Sequence, residues 1–164
     1  MLLEAEGWAW DIADFVIVWV ILAAAVAGYQ LVASRAYNQT YRLATGLAVV
    51  TGVFLLWVNG AVGLIGSENN PANAMYLGVL LIGLIGVAIA RLRPLGMARA
   101  LFATAAAQFL VPVVALLLWR PDFSPGVVQV FTLNFAFVLA FVASALLFRH
   151  AGTKPGRVDT AASA

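Results

Sequence analysis

Five long runs of apolar residues, separated by short polar links, make up most of this chain. A membrane-spanning α-helix needs about 20 consecutive, mostly apolar residues, and each run is of that order. The pattern predicts spans at residues 15–34, 41–66, 71–90, 97–119 and 127–148, between an acidic N-terminal segment (1–14) and a polar tail (149–164) of disordered composition. The predicted fold class is an all-α integral membrane protein, a bundle of five transmembrane helices.

The link between the second and third spans indicates where the third span begins. Asn70 is a typical N-cap residue, and Pro71 suits the first position of a helix. A helix from Pro71 to the end of the run is about 30 Å long, whereas a start at Met75 would leave about 24 Å. We therefore expect the third span to begin at Pro71. Gly66 can take the left-handed conformation that ends the helix before it.

The composition supports the membrane assignment. The chain is 64% hydrophobic and 10% charged, whereas soluble domains carry about 45–50% apolar and about 25% charged residues. There is no cysteine, and the only histidine, His150, lies outside the spans. These absences argue against thiolate metal sites, bis-histidine haem ligation and histidine-ligated di-iron chemistry. We therefore expect neither a cofactor nor a bound metal.

The charged residues are distributed unevenly between the links. Eight of the nine Lys and Arg residues lie in the links after the first and third spans, at Arg99 or in the tail. The N-terminal segment and the other two links hold six of the seven acids and one cation, Arg120. Because cytoplasmic links carry excess Lys and Arg, the N-terminus is predicted outside and the C-terminus in the cytoplasm. We interpret the net charge of +2 as a topology signal and expect no nucleic-acid partner.

Five polar residues near the predicted outer end form the candidate functional site. Asn59, Gln108 and Asn134 lie about 10 to 16 Å below the outer ends of their spans, at 1.5 Å per residue. Glu68 and Asn73 lie in or beside the turn above them. Amides in hydrocarbon need partners, so they form either one outward-opening cluster or separate contacts that join neighbouring helices. Glu68 either binds a cation or carries a proton, or it only supports the start of the third span.

Glycines at helical spacing are the candidate packing residues. They are Gly52, Gly63 and Gly66 in the second span and Gly83 and Gly86 in the third. Residues three, four or seven apart share one face of a helix, and small residues there allow another helix to approach closely. We predict that these glycines mediate helix packing.

A resemblance adds to this reading. Residues 57–76 have the sequence WVNGAVGLIGSENNPANAMY, which resembles the central signature of a family of small, multi-spanning bacterial membrane proteins without an assigned activity. Residues 96–105 resemble the same family, and the likeness covers about 14–148. The resemblance implies a bacterial plasma membrane and no particular chemistry. Asn69 stands where the family is expected to have an acid, which would weaken a cation site there.

Two hypotheses from different classes follow. The first is a non-enzymatic helix-bundle subunit or accessory protein whose partners are the lipid bilayer and either a second copy or a larger membrane protein. The spans offer no histidine base for a Ser–His hydrolase, and the sole lysine, Lys154, is in the tail and not in a phosphate loop. The alternative is a small-solute or ion permease that uses the polar cluster and, with only five spans, would act as an oligomer. In either case the first span could be peripheral to a four-helix core.

Overall fold

A computed structural model gives the architecture, and it describes residues 12–36, 38–61, 63–65, 70–119 and 125–153. Over these residues the chain is helical throughout its regular structure and forms no strand. The five α-helices are α1 (Ile12–Ala33), α2 (Gln39–Ala61), α3 (Met75–Ala90), α4 (Pro94–Trp119) and α5 (Pro125–Thr153), and a 3-10 turn (Pro71–Ala74) leads into α3. With that turn counted into α3, all five are long and apolar enough to cross a membrane. The expectation of an all-helical chain with five candidate spans is confirmed.

The start of the third span follows the predicted capping pattern. The side-chain Oδ1 of Asn70 accepts a hydrogen bond from the backbone N–H of Ala72 at 2.9 Å. Pro71 occupies the first position of the 3-10 turn, where its missing N–H costs nothing. Helical structure therefore begins at Pro71, although its first four residues wind more tightly than an α-helix.

The end of the second span differs from the prediction. The helix α2 ends at Ala61, not at Gly66, and Gly63 has a φ of 75° in the left-handed region. Gly63 is therefore a turn residue and not part of a packing face, because an α-helix needs negative φ. Asn73 holds this turn through hydrogen bonds to the backbone N–H groups of Leu64 and Ile65. Gly66 lies outside the described residues.

Other helix bounds also differ from the sequence estimate, three of them by three residues or more. The helix α1 begins at Ile12 and α4 begins at Pro94, each three residues earlier than predicted, with proline again at the first helical position of α4. The helix α5 continues to Thr153, so residues 149–153 are helical and not part of a disordered tail. The reason is tertiary: Ala151 is fully buried, and its carbonyl accepts a hydrogen bond from Asn38 Nδ2 at 3.4 Å.

Four helices form the core and one lies beside it. The helix α4 packs between α3 and α5, while α2 packs mainly on α5. Buried aromatic residues of α5, including Phe137, Phe141 and Phe148, fill the interior. The helix α1 packs mainly on α2, and only Val32 and Ala33 at its C-terminal end are buried. The first span is thus peripheral to a core of α2–α5.

Contacts between distant parts of the chain join three segments at one end of the bundle. Tyr41, at the start of α2, donates a hydrogen bond from its hydroxyl to the carbonyl of Leu92 at 2.7 Å. The same ring packs edge-on against Phe148 of α5, with ring centroids 4.9 Å apart. This end therefore gathers the α1–α2 link, the α3–α4 link and the end of α5. We call it the arginine end, because it carries the six arginines of the described chain, Arg35, Arg42, Arg91, Arg93, Arg99 and Arg149.

Two of the predicted packing glycines lie where α3 meets α4. A Cβ atom added to Gly86 would lie 2.6 Å from the Cβ of Ala100 and 3.2 Å from its Cα. A Cβ on Gly83 would lie 3.3 Å from Thr104 Oγ1, whereas one on Gly52 would make only an ordinary contact of 3.7 Å with Leu80. The closest approach of the two helices thus depends on the absence of a side chain at Gly86.

Substitution of Gly86 tests this contact directly. We expect Gly86→Ala to lower the free energy of unfolding by about 1–3 kcal/mol relative to Gly78→Ala, since overpacking forces the helices apart. Gly78 is a matched control because it lies on the same helix and a Cβ there has no atom within 4 Å. Equilibrium unfolding in mixed detergent micelles measures both. Equal effects of the two substitutions would contradict the close-packing role.

Candidate functional site

Three buried polar side chains from three helices meet at one oxygen atom. Tyr76 of α3 donates from its hydroxyl to Asn134 Oδ1 of α5 at 2.9 Å. Gln108 of α4 donates from Nε2 to the same oxygen, also at 2.9 Å. Each of the three residues is at most 2% exposed. We call them the tyrosine–amide cluster.

The geometry of Asn134 allows it to serve both donors. A side-chain carbonyl oxygen has two lone pairs and can accept two hydrogen bonds. Its own Nδ2 donates to the carbonyl of Val130, four residues earlier on α5, at 2.9 Å. That bond fixes the side chain against its own helix and holds the oxygen towards Tyr76 and Gln108. Asn134 is therefore the junction of α3, α4 and α5.

Gln108 keeps an unused acceptor. Its Oε1 is buried and has no hydrogen-bond partner within the part of the chain that the structure describes. Four residues later stands Pro112, which is also buried and has no N–H to offer the main-chain carbonyl of Gln108. The helix nevertheless continues through Pro112 to Trp119. Gln108 can thus accept a hydrogen bond from a further donor, such as water, a hydroxyl or an ammonium group.

A groove between α4 and α5 lies beside the cluster. Its volume is about 320 Å³, and its lining includes Phe109, Pro112, Phe135 and Asn134. The aromatic rings make it mainly apolar, and the amide of Asn134 is one of its few polar groups. Asn134 is thus the point at which the groove reaches the cluster, and its side-chain oxygen already accepts two hydrogen bonds.

Asn59 and Asn73 form a second polar group at the other end of the bundle from the arginines. Asn73 Oδ1 accepts from the backbone N–H of Leu64 at 3.1 Å and of Ile65 at 2.9 Å. Asn59 Nδ2 donates to the main-chain carbonyl of Asn73 at 3.2 Å. The buried Asn59 Oδ1 has no partner among the residues the structure describes. The role of this pair, in the described residues, is to hold the turn after α2 against the start of the third span.

The five residues predicted for one site thus fall into different places. The hydrogen bonds above join Gln108 with Asn134, and Asn59 with Asn73. Glu68 lies outside the described residues, so its proposed cation or proton role stays a prediction. Tyr76 was not among the predicted site residues. The sequence could have pointed to Tyr76, because it is a tyrosine within an apolar span and a buried tyrosine hydroxyl usually has a hydrogen-bond partner.

A further buried polar contact joins the core helices. Ser144 on α5 donates from its hydroxyl to the main-chain carbonyl of Ala44 on α2 at 2.7 Å, and it is fully buried. Together with the tyrosine–amide cluster, this bond gives α5 polar contacts to each of the other three core helices. Such bonds between helices in lipid contribute about 0.6 kcal/mol on average and up to about 1.7 kcal/mol.

The described residues hold few groups for metal or acid–base chemistry. Within them, no three His, Asp or Glu side chains come together as metal ligands. Asp14 is the one carboxylate side chain in those ranges. The chemistry that their geometry supports is hydrogen bonding by amides and hydroxyls.

Comparisons of the chain with protein-family models, with curated proteins and with solved structures give no match. The resemblance to the family of small bacterial membrane proteins therefore stays an expectation from the residues of the signature.

A double-mutant cycle tests whether the cluster acts as one unit. Gln108→Leu and Asn134→Leu are each expected to destabilise the fold, with a coupling free energy of about 0.5–2 kcal/mol. The reason is that Asn134→Leu already leaves the Gln108 amide unpaired, so its later removal costs less. Asn59→Leu combined with Asn134→Leu is the control and should be additive within about 0.5 kcal/mol. Additive losses for Gln108 and Asn134 would contradict a shared cluster.

The same variants separate structural support from transport. Vesicles reconstituted with the protein can be assayed for flux of K⁺ and of protons with fluorescent indicators. If Gln108→Leu abolished a flux while the reconstituted protein remained folded, the permease hypothesis would gain support. Wild-type flux no greater than that of empty vesicles would count against it.

Proposed function

We propose that this chain is a non-enzymatic integral membrane protein of the bacterial plasma membrane, a helix-bundle subunit that binds another membrane polypeptide through α1. The observation that carries the proposal is the position of α1. Of its 22 residues, only Val32 and Ala33 are buried. Five further residues, spaced one to four positions apart between 18 and 29, are half-buried, and the other fifteen are exposed. Most of the surface of α1 is therefore available to a partner.

The surface of α1 has the composition that close helix packing needs. Ala24 and Gly28 are four residues apart and lie on one face. Ala24 is exposed, and a Cβ added to Gly28 would meet no atom within 4 Å. Small residues at this spacing let two helices approach closely in lipid. Gly86 shows that this chain packs helices in that way, and α1 offers the same kind of surface without a neighbour in the described chain.

The buried polar groups of the core support the same reading. Asn134, Ser144 and Asn73 each bind a neighbouring helix or turn through hydrogen bonds. These bonds stabilise α2–α5 as a unit, and α1 packs on the outside of that unit. The proposed interface is therefore on the outside of the bundle and not in its polar interior.

We further propose that the N-terminus lies outside and the C-terminus in the cytoplasm. Support comes from the charge distribution: six arginines share the arginine end, whereas Asp14 is in the first turn of α1, at the far end of that helix. Excess Lys and Arg beside the spans favour the cytoplasmic side. The arginine end would then face the cytoplasm.

Single-cysteine labelling tests this orientation on a chain that has no cysteine of its own. Gly126→Cys, at the exposed start of α5, should react with a membrane-impermeant maleimide in intact spheroplasts. Thr153→Cys, at the exposed end of the same helix, should react only after the membrane is permeabilised. The reverse pattern would refute the orientation.

Substitutions on α1 test the subunit role. Ala24→Leu with Gly28→Leu should abolish association with a second polypeptide, because the added side chains prevent close approach. Leu22→Phe is the control: it adds bulk at an exposed position on the opposite side of α1. Association is measured by size-exclusion chromatography with light scattering and by mass spectrometry of the complex in mild detergent. The unfolding midpoint should not change, since both target positions lie outside the core.

Two outcomes would contradict the proposal. One is a wild-type protein that runs as a monomer without any co-purifying polypeptide. The other is an association that the α1 double variant and the Leu22→Phe control leave equally intact.

A further inference from the structure

A groove of about 740 Å³ opens at the arginine end, where the end of α3, the start of α4 and the end of α5 meet. Its apolar lining includes Ile89, Leu95, Ala100 and Gly152. Its charged lining consists of Arg93 and Arg99. The groove therefore combines a hydrocarbon-like wall with two fixed positive charges.

The two arginines are placed by the turn between α3 and α4. Arg91 and Leu92 both adopt left-handed backbone angles, with φ of 49° and 60°, and this ends α3 abruptly. Arg93 then directly precedes Pro94, the first residue of α4, and Arg99 follows just over one turn into that helix. Both guanidinium groups thus belong to the same short stretch of chain and border the same groove.

These charges have no carboxylate partner within the described chain. Arg93 and Arg99 are exposed, and the one Asp or Glu in the described ranges, Asp14, lies at the far end of α1. Two neighbouring cations repel each other unless an anion lies between them. The site is therefore complementary to a negatively charged group.

The apolar wall restricts what that group can be. Ile89 is 76% exposed and Leu95 is 48% exposed, on the outer surface of helices that are apolar enough to cross a membrane. A soluble anion would satisfy the arginines and leave this wall uncovered. A molecule with an anionic head and a hydrocarbon tail would satisfy both parts of the groove.

We propose that the groove binds an anionic phospholipid, with the phosphate between Arg93 and Arg99 and an acyl chain along Ile89 and Leu95. Guanidinium groups form paired hydrogen bonds with phosphate oxygens, and basic pockets between transmembrane helices hold anionic head groups. The inference rests on the membrane location in the proposed function. It depends neither on α1 nor on a partner polypeptide.

Lipid binding to the purified full chain tests the proposal. Native mass spectrometry in mild detergent gives the affinity for phosphatidylglycerol and for phosphatidylcholine. Wild type should prefer phosphatidylglycerol, and Arg93→Gln with Arg99→Gln should weaken that binding by about tenfold or more, as expected for two phosphate contacts. Binding of phosphatidylcholine should weaken much less, because its choline cation makes the head group neutral overall and the two arginines attract it less.

A matched control separates a site from general surface charge. Arg35→Gln with Arg149→Gln removes the same two charges from exposed positions at the same end, and neither residue lines the groove. This variant should bind phosphatidylglycerol within about twofold of wild type, because neither guanidinium group borders the groove. Arg93→Lys with Arg99→Lys keeps the charge and should show an intermediate loss, since lysine lacks the planar fork.

Several results would overturn the proposal. They are equal weakening by the two glutamine variants, an absence of preference for phosphatidylglycerol in wild type, and competition by soluble glycerol phosphate at the same concentration as the lipid. Each leaves the α1 association untouched, so failure here and failure of the proposed function are separable. Circular dichroism and the unfolding midpoint confirm that the variants remain folded.

Discussion

The packing of the core depends on one constraint: a polar group buried away from water must find its partner inside the protein. The side-chain oxygen of Asn134 meets that constraint for two donors at once, Tyr76 and Gln108. Because these residues come from three helices, the bond pair fixes how α3, α4 and α5 are rotated about their own axes. The apolar contacts of the same helices allow many rotations, whereas a buried amide allows few. The closest approach of α3 and α4 at Gly86 is compatible with that rotation and further restricts it.

The number and approximate place of the helices could be predicted because apolar runs of sufficient length are a local property of the sequence. The start at Pro71 was also local, since Asn70 and Pro71 are adjacent and carry the cap between them. The end of α2, in contrast, could not be predicted from the local sequence. Gly63 continues the glycine spacing of the helix before it, and the same residue type suits both a packing face and a left-handed turn. The contact that decides between them comes from Asn73, beyond the turn.

For the candidate site too, the local sequence did not predict which residues contact each other. Depth along a helix follows from residue number, so Asn59, Gln108 and Asn134 could be placed near each other in height. Their grouping depends on how each helix is rotated, which a single sequence does not determine. Tyr76 was missed because an aromatic ring in an apolar span is usually packing, and only its bond to Asn134 shows otherwise. The helical residues 149–153 were missed for a similar reason, since Ala151 is buried and its carbonyl is bound by Asn38, more than 100 positions away.

The polar groups inside the bundle and those on its outside differ in how far they are satisfied. Asn134, Ser144 and Asn73 are engaged with the chain itself, and the buried side-chain acceptors left unused among the described residues are single atoms of Asn59 and Gln108. On the outside, six arginines face no carboxylate within the described residues other than the distant Asp14, and α1 buries only two side chains. Lipids and other polypeptides can bind the charged and apolar groups that a protein leaves exposed on its surface. The groups without a partner in the described chain are therefore concentrated on α1 and at the arginine end. These are the two surfaces through which we expect the protein to act.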